Sequence, residues 1–167
     1  NDNYALFFNE DDDTPDMVKI ENDEDYLPEG EEVVISCLKS NSHPKQGVMI
    51  YKIAYKDKSL VYATDTEGYV GANKKLVLFA RDTDLLIHDA QYTSEEYLNA
   101  YFSKQGYGHS TFDMALETFS QAKAKSLAFF HFDPNYNDEF LLEIENHYTE
   151  NCKNCFIPKE GQEIVLR

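Results

Sequence analysis

The chain has 167 residues, 42% hydrophobic and 28% charged, so it can bury a core of its own and is neither collagen-like, coiled-coil nor wholly disordered. Lysine and arginine number 15 against 31 acids, a formal charge of −16, and such a surface repels phosphate backbones, which argues against a large nucleic acid as partner. No run reaches the roughly 18 to 20 apolar residues that span a membrane and no basic-then-apolar signal opens the chain, so a soluble cytoplasmic protein with no membrane partner is expected.

The charge is local. Residues 1–32 hold thirteen acids and one base, Lys19, whereas residues 33–167 hold 18 acids and 14 bases. Runs such as Glu10 to Asp13 and Asp23 to Asp25 predict a solvated acidic loop or leader over 1–32, followed by a folded unit over 33–167.

From Val33 the pattern becomes regular. The β-branched run Val33 to Leu38 and the alternating stretch Val48 to Tyr55 predict two strands. A polar turn at Lys56 to Ser59 then leads into Leu60 to Ala63, completing a hairpin. After a loop containing Gly68 and Gly71, a short helix is expected over Lys74 to Ala80 and a strand over Leu85 to His88. Thr93 and Glu96 match a capping box that opens a helix through about Phe102. Beyond the loop Gly106-Tyr107-Gly108-His109, Ser110 is read as the cap of a helix whose Phe112, Ala115, Leu116, Phe119 and Ala122 fall at helical spacing. A buried strand over Leu127 to Phe130, a helix from Asp138 carrying Phe140, Leu141 and Ile144, and a closing strand near Ile164 to Leu166 complete an α/β order.

Cys37, Cys152 and Cys155 are too few for a disulfide scaffold, and their odd number fits a reducing compartment. Cys152 and Cys155 form one CxxC, but neither two further zinc ligands nor a strand-to-helix redox context accompanies it, so these cysteines are read as structural or incidental.

Chemistry in an open α/β sheet gathers beyond the C-terminal ends of its strands. Asp65 follows one predicted strand, His88 and Asp89 end the next, and His131 ends another. His43 lies before Pro44 in the loop between the first two strands, and His109 immediately precedes a helix. A lone histidine at such a position is usually a packing residue, and His147 is read as surface. Four histidines and two aspartates together, however, suit zinc, iron or manganese, with one carboxylate able to bridge two metals.

Tyr62-Ala63-Thr64-Asp65-Thr66-Glu67, Asp84-Leu85-Leu86-Ile87-His88-Asp89-Ala90, Gly108-His109-Ser110-Thr111 and Phe130-His131-Phe132-Asp133-Pro134 resemble, in order and spacing, the C-terminal half of a metallo-β-lactamase-fold hydrolase, nearest the branch of ribonuclease Z and related phosphodiesterases. That resemblance implies half of a four-layer αββα sandwich holding two divalent ions, zinc first, with manganese or iron as alternatives. It implies that His43 binds the first metal, Asp65 bridges the two and His131 binds the second. By the same resemblance His109 is a non-ligand histidine acting on the scissile phosphate or the leaving oxygen, and Asp89 orients it. A helix starting at Ser110 would aim backbone N–H groups at an anion near His109.

The family's His-x-His-x-Asp-His string does not occur in the sequence. With Asn1 in place of a starting methionine, this implies a chain whose partner is the N-terminal half of the same protein, which carries those ligands, and which is inactive alone. The activity expected is a dinuclear metal-dependent hydrolase acting on a small or cyclic-nucleotide-like phosphodiester, with a homodimer as an option. A ribonuclease Z-like tRNA 3′-processing endonuclease and a metal-free binding or regulatory module are the alternatives.

Overall fold

The computed structural model describes residues 3–8, 15–20 and 32–166. Its elements are β1 (Asn3–Phe8), β2 (Pro15–Ile20), β3 (Val33–Ser40), β4 (Val48–Tyr55), β5 (Lys58–Ala63), α1 (Lys74–Phe79), β6 (Leu85–Asp89), α2 (Ser94–Tyr97), α3 (Phe112–Ala122), β7 (Leu127–Phe130), α4 (Asp138–Thr149) and β8 (Cys155–Phe156). The strands form one sheet in the order β2-β1-β3-β4-β5-β6-β7-β8. β3, β4 and β5 meander antiparallel, and β5, β6, β7 and β8 then run parallel.

The pairing of Tyr55 with Lys58 leaves a two-residue turn, Lys56-Asp57, with Lys56 at φ 54°, which suits the twist of a tight hairpin. Side-chain alternation divides the sheet into two unlike faces. Leu38, Ile50, Val61, Ala63, Leu86, Leu127 and Phe129 point to the helix side and join Leu76 of α1 and Phe112, Ala115 and Ala122 of α3 in the core. Phe112 is fully buried, and its ring meets those of Phe129 and Tyr148 at 5.3 and 5.7 Å. On the opposite face the register aligns Tyr51, Tyr62 and Ile87, and Tyr51, Tyr62 and Phe130 stay 37 to 40% exposed. No helix among the described residues covers that face or is long and apolar enough to cross a membrane.

Several expectations change. β1 and β2 fall inside the stretch read as an acidic leader, and β1 pairs parallel with β3. The apolar run Tyr4-Ala5-Leu6-Phe7-Phe8 carries the strand signal that the net charge of the segment masked. The acidic runs Glu10 to Asp13 and Asp23 to Asp25 lie outside the described residues. The capping box of Thr93 and Glu96 is present, but α2 ends at Tyr97 rather than near Phe102. Asn99 there accepts hydrogen bonds from the Tyr101 and Phe102 amides and turns the chain away. The cap of α3 is Thr111, which accepts from the Met114 amide, and not Ser110. The strand expected near Ile164 to Leu166 is absent, and β8 occupies the sheet edge at Cys155 and Phe156 instead. Cys152 and Cys155, read as structural or incidental, are joined as a disulfide across the turn between α4 and β8, which is the structural of the two readings.

Candidate metal and phosphodiester site

β3, β5, β6 and β7 point the same way, because β4 runs antiparallel to both of its neighbours and β5 to β7 are parallel. Their C-terminal ends therefore reach one edge of the sheet, where loops carry functional groups. His43 follows β3, Asp65 follows β5, Asp89 ends β6 and His131 follows β7. All four, with His109 from the loop before α3, gather there.

One Asp65 oxygen, Oδ1, lies 4.0 Å from His43 Nε2 and 3.4 Å from His131 Nε2. Asp89 is fully buried, and its Oδ2 takes the Nδ1 side of His109 at 2.9 Å. Its Oδ1 accepts the Ser110 amide at 2.9 Å, so the first N–H expected to face an anion is already engaged. His131 Nδ1 stands 3.6 Å from Asp89 Oδ2, beyond hydrogen-bonding distance, and is buried without a partner among the described residues. The rings of His109 and His131 stack at 4.9 Å, and His43 meets His109 edge-on at 5.4 Å. Two groups of potential ligand atoms each fall within 4.8 Å of one another: His43, Asp65 and His109; and Asp89, His109 and His131. An imidazole and carboxylate set of this kind fits a divalent transition metal.

Backbone conformation brings these side chains inward. Asp65 and His131, both just past a strand end, adopt left-handed φ values of 53° and 62°. That region is uncommon for residues with a Cβ, although Asp and His tolerate it better than most, and such outliers concentrate at functional sites.

Burial alone pushes the His109 imidazole down. The hydrogen bond and charge of Asp89, helped by the charges of Asp65 and Glu67, more than offset it, so His109 is held above the ordinary imidazole range. The protonated ring therefore persists to higher pH than in free imidazole. His88, the single histidine of β6 and one of the four grouped in the sequence, belongs to the core instead. It is fully buried on the helix side, its Nδ1 bonds the Asp89 carbonyl at 2.8 Å, and burial pushes its pKa down. His147, in the last turn of α4, is exposed as expected.

Two supporting features were not read from the sequence. A buried hydroxyl chain runs from Ser40 Oγ to Ser42 Oγ and on to Thr66 Oγ1, each step 2.7 Å, and ties the His43 loop to the Asp65 loop. Ser110 continues the tie, donating to the Thr66 carbonyl at 2.5 Å and accepting from the Gly68 amide at 2.9 Å. Gly108 is the second feature. At φ +91° it lies so close to His43 and Pro44 that a Cβ would sit 2.4 Å from Pro44 Cδ and 2.6 Å from His43 Cδ2. Gly108→Ala is expected to lower stability by about 1 to 3 kcal/mol through overpacking, seen as a fall in Tm. An unchanged Tm would show that this loop yields without cost.

Residues 2–132 match the family model described as Beta-lactamase superfamily domain, and the chain belongs to that family. Its structural neighbours have the metallo-β-lactamase fold. The short form of human tRNase Z aligns with a TM-score of 0.59 at 19% identity, over 85% of this chain and 45% of that one. The metallo-β-lactamase fold protein YhfI of Bacillus subtilis aligns with a TM-score of 0.61 at 18% identity, over 82% of this chain and 53% of that one. Among curated relatives, ribonuclease Z of Thermococcus sibiricus is 36% identical over 122 residues, which cover 73% of this chain and 32% of that protein. Ribonuclease Z of Pyrococcus furiosus is 34% identical over 108 residues, covering 64% and 31%. The chain thus spans about a third of the length of these curated relatives.

Proposed function

We propose that this chain supplies one side of a dinuclear metal site in a ribonuclease Z-type phosphodiesterase, with the complementary ligands in another part of the complete protein. The observation that carries this reading is the convergence of His43, Asp65 and His131 at one sheet edge, beside a His109 held by a buried carboxylate. In this reading His43, Asp65 and His131 are the residues that would hold the metals, and the exposed sheet face around Tyr51, Tyr62 and Phe130 receives the second layer of the sandwich. Two divalent ions, zinc in the first instance, would supply charge neutralisation and an activated water. Asp89 fixes the His109 tautomer by taking Nδ1, which leaves Nε2 to deliver a proton to the leaving oxygen.

The names of the curated relatives favour RNA as substrate over the small or cyclic phosphodiester expected from charge. The acidity also opposes RNA less than the total suggests, because thirteen of the 31 acids sit in residues 1–32. Elemental analysis of the complete protein, followed by assays on a 3′-extended tRNA, a cyclic dinucleotide and bis(p-nitrophenyl) phosphate, tests the reading. About two metals per chain and preferential cleavage of the tRNA precursor are expected. A metal-loaded enzyme that cleaves only the small diesters would replace RNA by a small substrate. A metal-free, inert protein would leave the binding or regulatory module.

A further inference from the structure

Glu67 was assigned no role by the sequence pattern, yet it connects the loops that carry His43, Asp65 and His109. It stands two residues after Asp65, and its amide donates to the Ser42 carbonyl at 3.3 Å, beside His43. Its side chain crosses to the loop that ends in His109. Oε1 accepts from Tyr97 Oη at 2.5 Å and from the Gly106 amide at 2.7 Å, and Oε2 accepts from the Gly108 amide at 3.0 Å. Gly106 and Gly108 both have left-handed φ, 81° and 91°, and with Tyr107 between them they turn two N–H groups toward one carboxylate. The Tyr107 amide between them donates instead to the Lys104 carbonyl at 3.2 Å, so the two glycine amides alone form the cradle that the Glu67 carboxylate fills. Tyr97, the third donor, is buried in α2.

His109 is thus gripped from two sides, by Asp89 on Nδ1 and by a loop whose last residue before the imidazole hangs on Glu67. We infer that Glu67 is a positioning residue that sets where the His109 proton is delivered, an inference that rests on the phosphodiesterase reading above. In the step concerned, water bonds to phosphorus and the P–O bond to the leaving ribose oxygen breaks with its electron pair on that oxygen. The His109 Nε2 proton goes to that oxygen, and the proton given up by water restores the imidazolium. Misplacing a reacting group by about 1 Å costs up to roughly 100-fold. The loss falls on leaving groups that need the proton, such as a ribose hydroxyl, and much less on p-nitrophenolate, which departs without one.

The test is made on the complete, metal-loaded protein with an RNA substrate and with bis(p-nitrophenyl) phosphate. Glu67→Ala is expected to lower kcat on RNA by about 10- to 100-fold, to lose only a small part of that on the activated diester, and to keep its metal content. Glu67→Gln, which retains one oxygen but sets an amide group against a backbone N–H, falls between, and is the variant read if alanine does not fold. The double variant with His109→Ala should be no slower on RNA than His109→Ala alone, because residues that act as a unit are not additive. Equal losses on the two substrates, multiplying losses in the double variant, or loss of metal would each overturn the inference. A parent protein inert on both substrates would overturn the phosphodiesterase reading itself. Leaving-group selectivity in His109→Ala without any in Glu67→Ala would remove only the role given to Glu67.

Discussion

His109→Ala in the complete protein is expected to cut turnover on RNA by about 10²- to 10⁴-fold, the range for a lost general acid, with metal content close to that of the parent. The expectation follows from how the imidazole is held. Its Nδ1 side is taken by the buried Asp89 carboxylate, so the ring is oriented by the protein and only Nε2 is left for substrate. His109 nevertheless lies within ligand distance of His43 and Asp65, so distance alone also admits it as a ligand. Metal content separates the two roles, and equal metal loss in His109→Ala and Asp65→Ala would remove the acid role. The pH profile gives a second check. An acid must be protonated, so activity falls as pH rises through its pKa, and because Asp89 holds His109 above the ordinary imidazole range that limb lies on the alkaline side of it. Asp89→Asn should move the limb to lower pH, and in His109→Ala it should vanish.

Asp65→Ala is expected to lose metal and turnover together. One of its oxygens faces both His43 and His131, so a single substitution removes the group common to the two imidazoles. Loss of a partner outside the ligand set already costs about 10- to 100-fold in metal affinity, and a shared ligand should exceed that. Alanine also sits poorly at φ 53°, so Asp65→Gly, which accepts that backbone freely, serves as the control. Metal loss in both variants, by elemental analysis after dialysis, assigns the effect to the carboxylate. Metal retained in Asp65→Gly would place the defect in the backbone and exclude the bridging role.

What could be read in advance followed the physics of each feature. β4 announces itself through apolar alternation, β3 and β7 through short apolar runs, and α3 through helical spacing of the residues it buries. Position at strand ends and loops picks out six residues, of which the structure brings His43, Asp65, Asp89, His109 and His131 together and leaves His88 in the core; only the family resemblance sets His88 aside. β1 was hidden by the acids around it, and β8, two residues long, has no periodicity to detect. Ser110 shows the limit of local rules. Its sequence context suits a helix cap, but its hydroxyl serves the Thr66 carbonyl and the Gly68 amide, more than 40 positions away in the chain. Glu67 and Gly108 stand in the quoted motifs, but their contacts were not legible for the same reason, since their partners are set by loop crossings and not by neighbours in sequence.

The apolar core and the proposed site of this chain draw on largely separate residues. Phe112, Phe129, Leu86 and Val61 pack on the helix side of the sheet, whereas His43, Asp65 and His131 lie beyond the strand ends and join none of that packing. Substitution of His43, Asp65 or His131 is therefore expected to erase the site while the apolar core persists. When sequences with this fold are sorted in a genome, the shape of the domain says little about which of them still react, and the residues at the strand ends have to be read one by one.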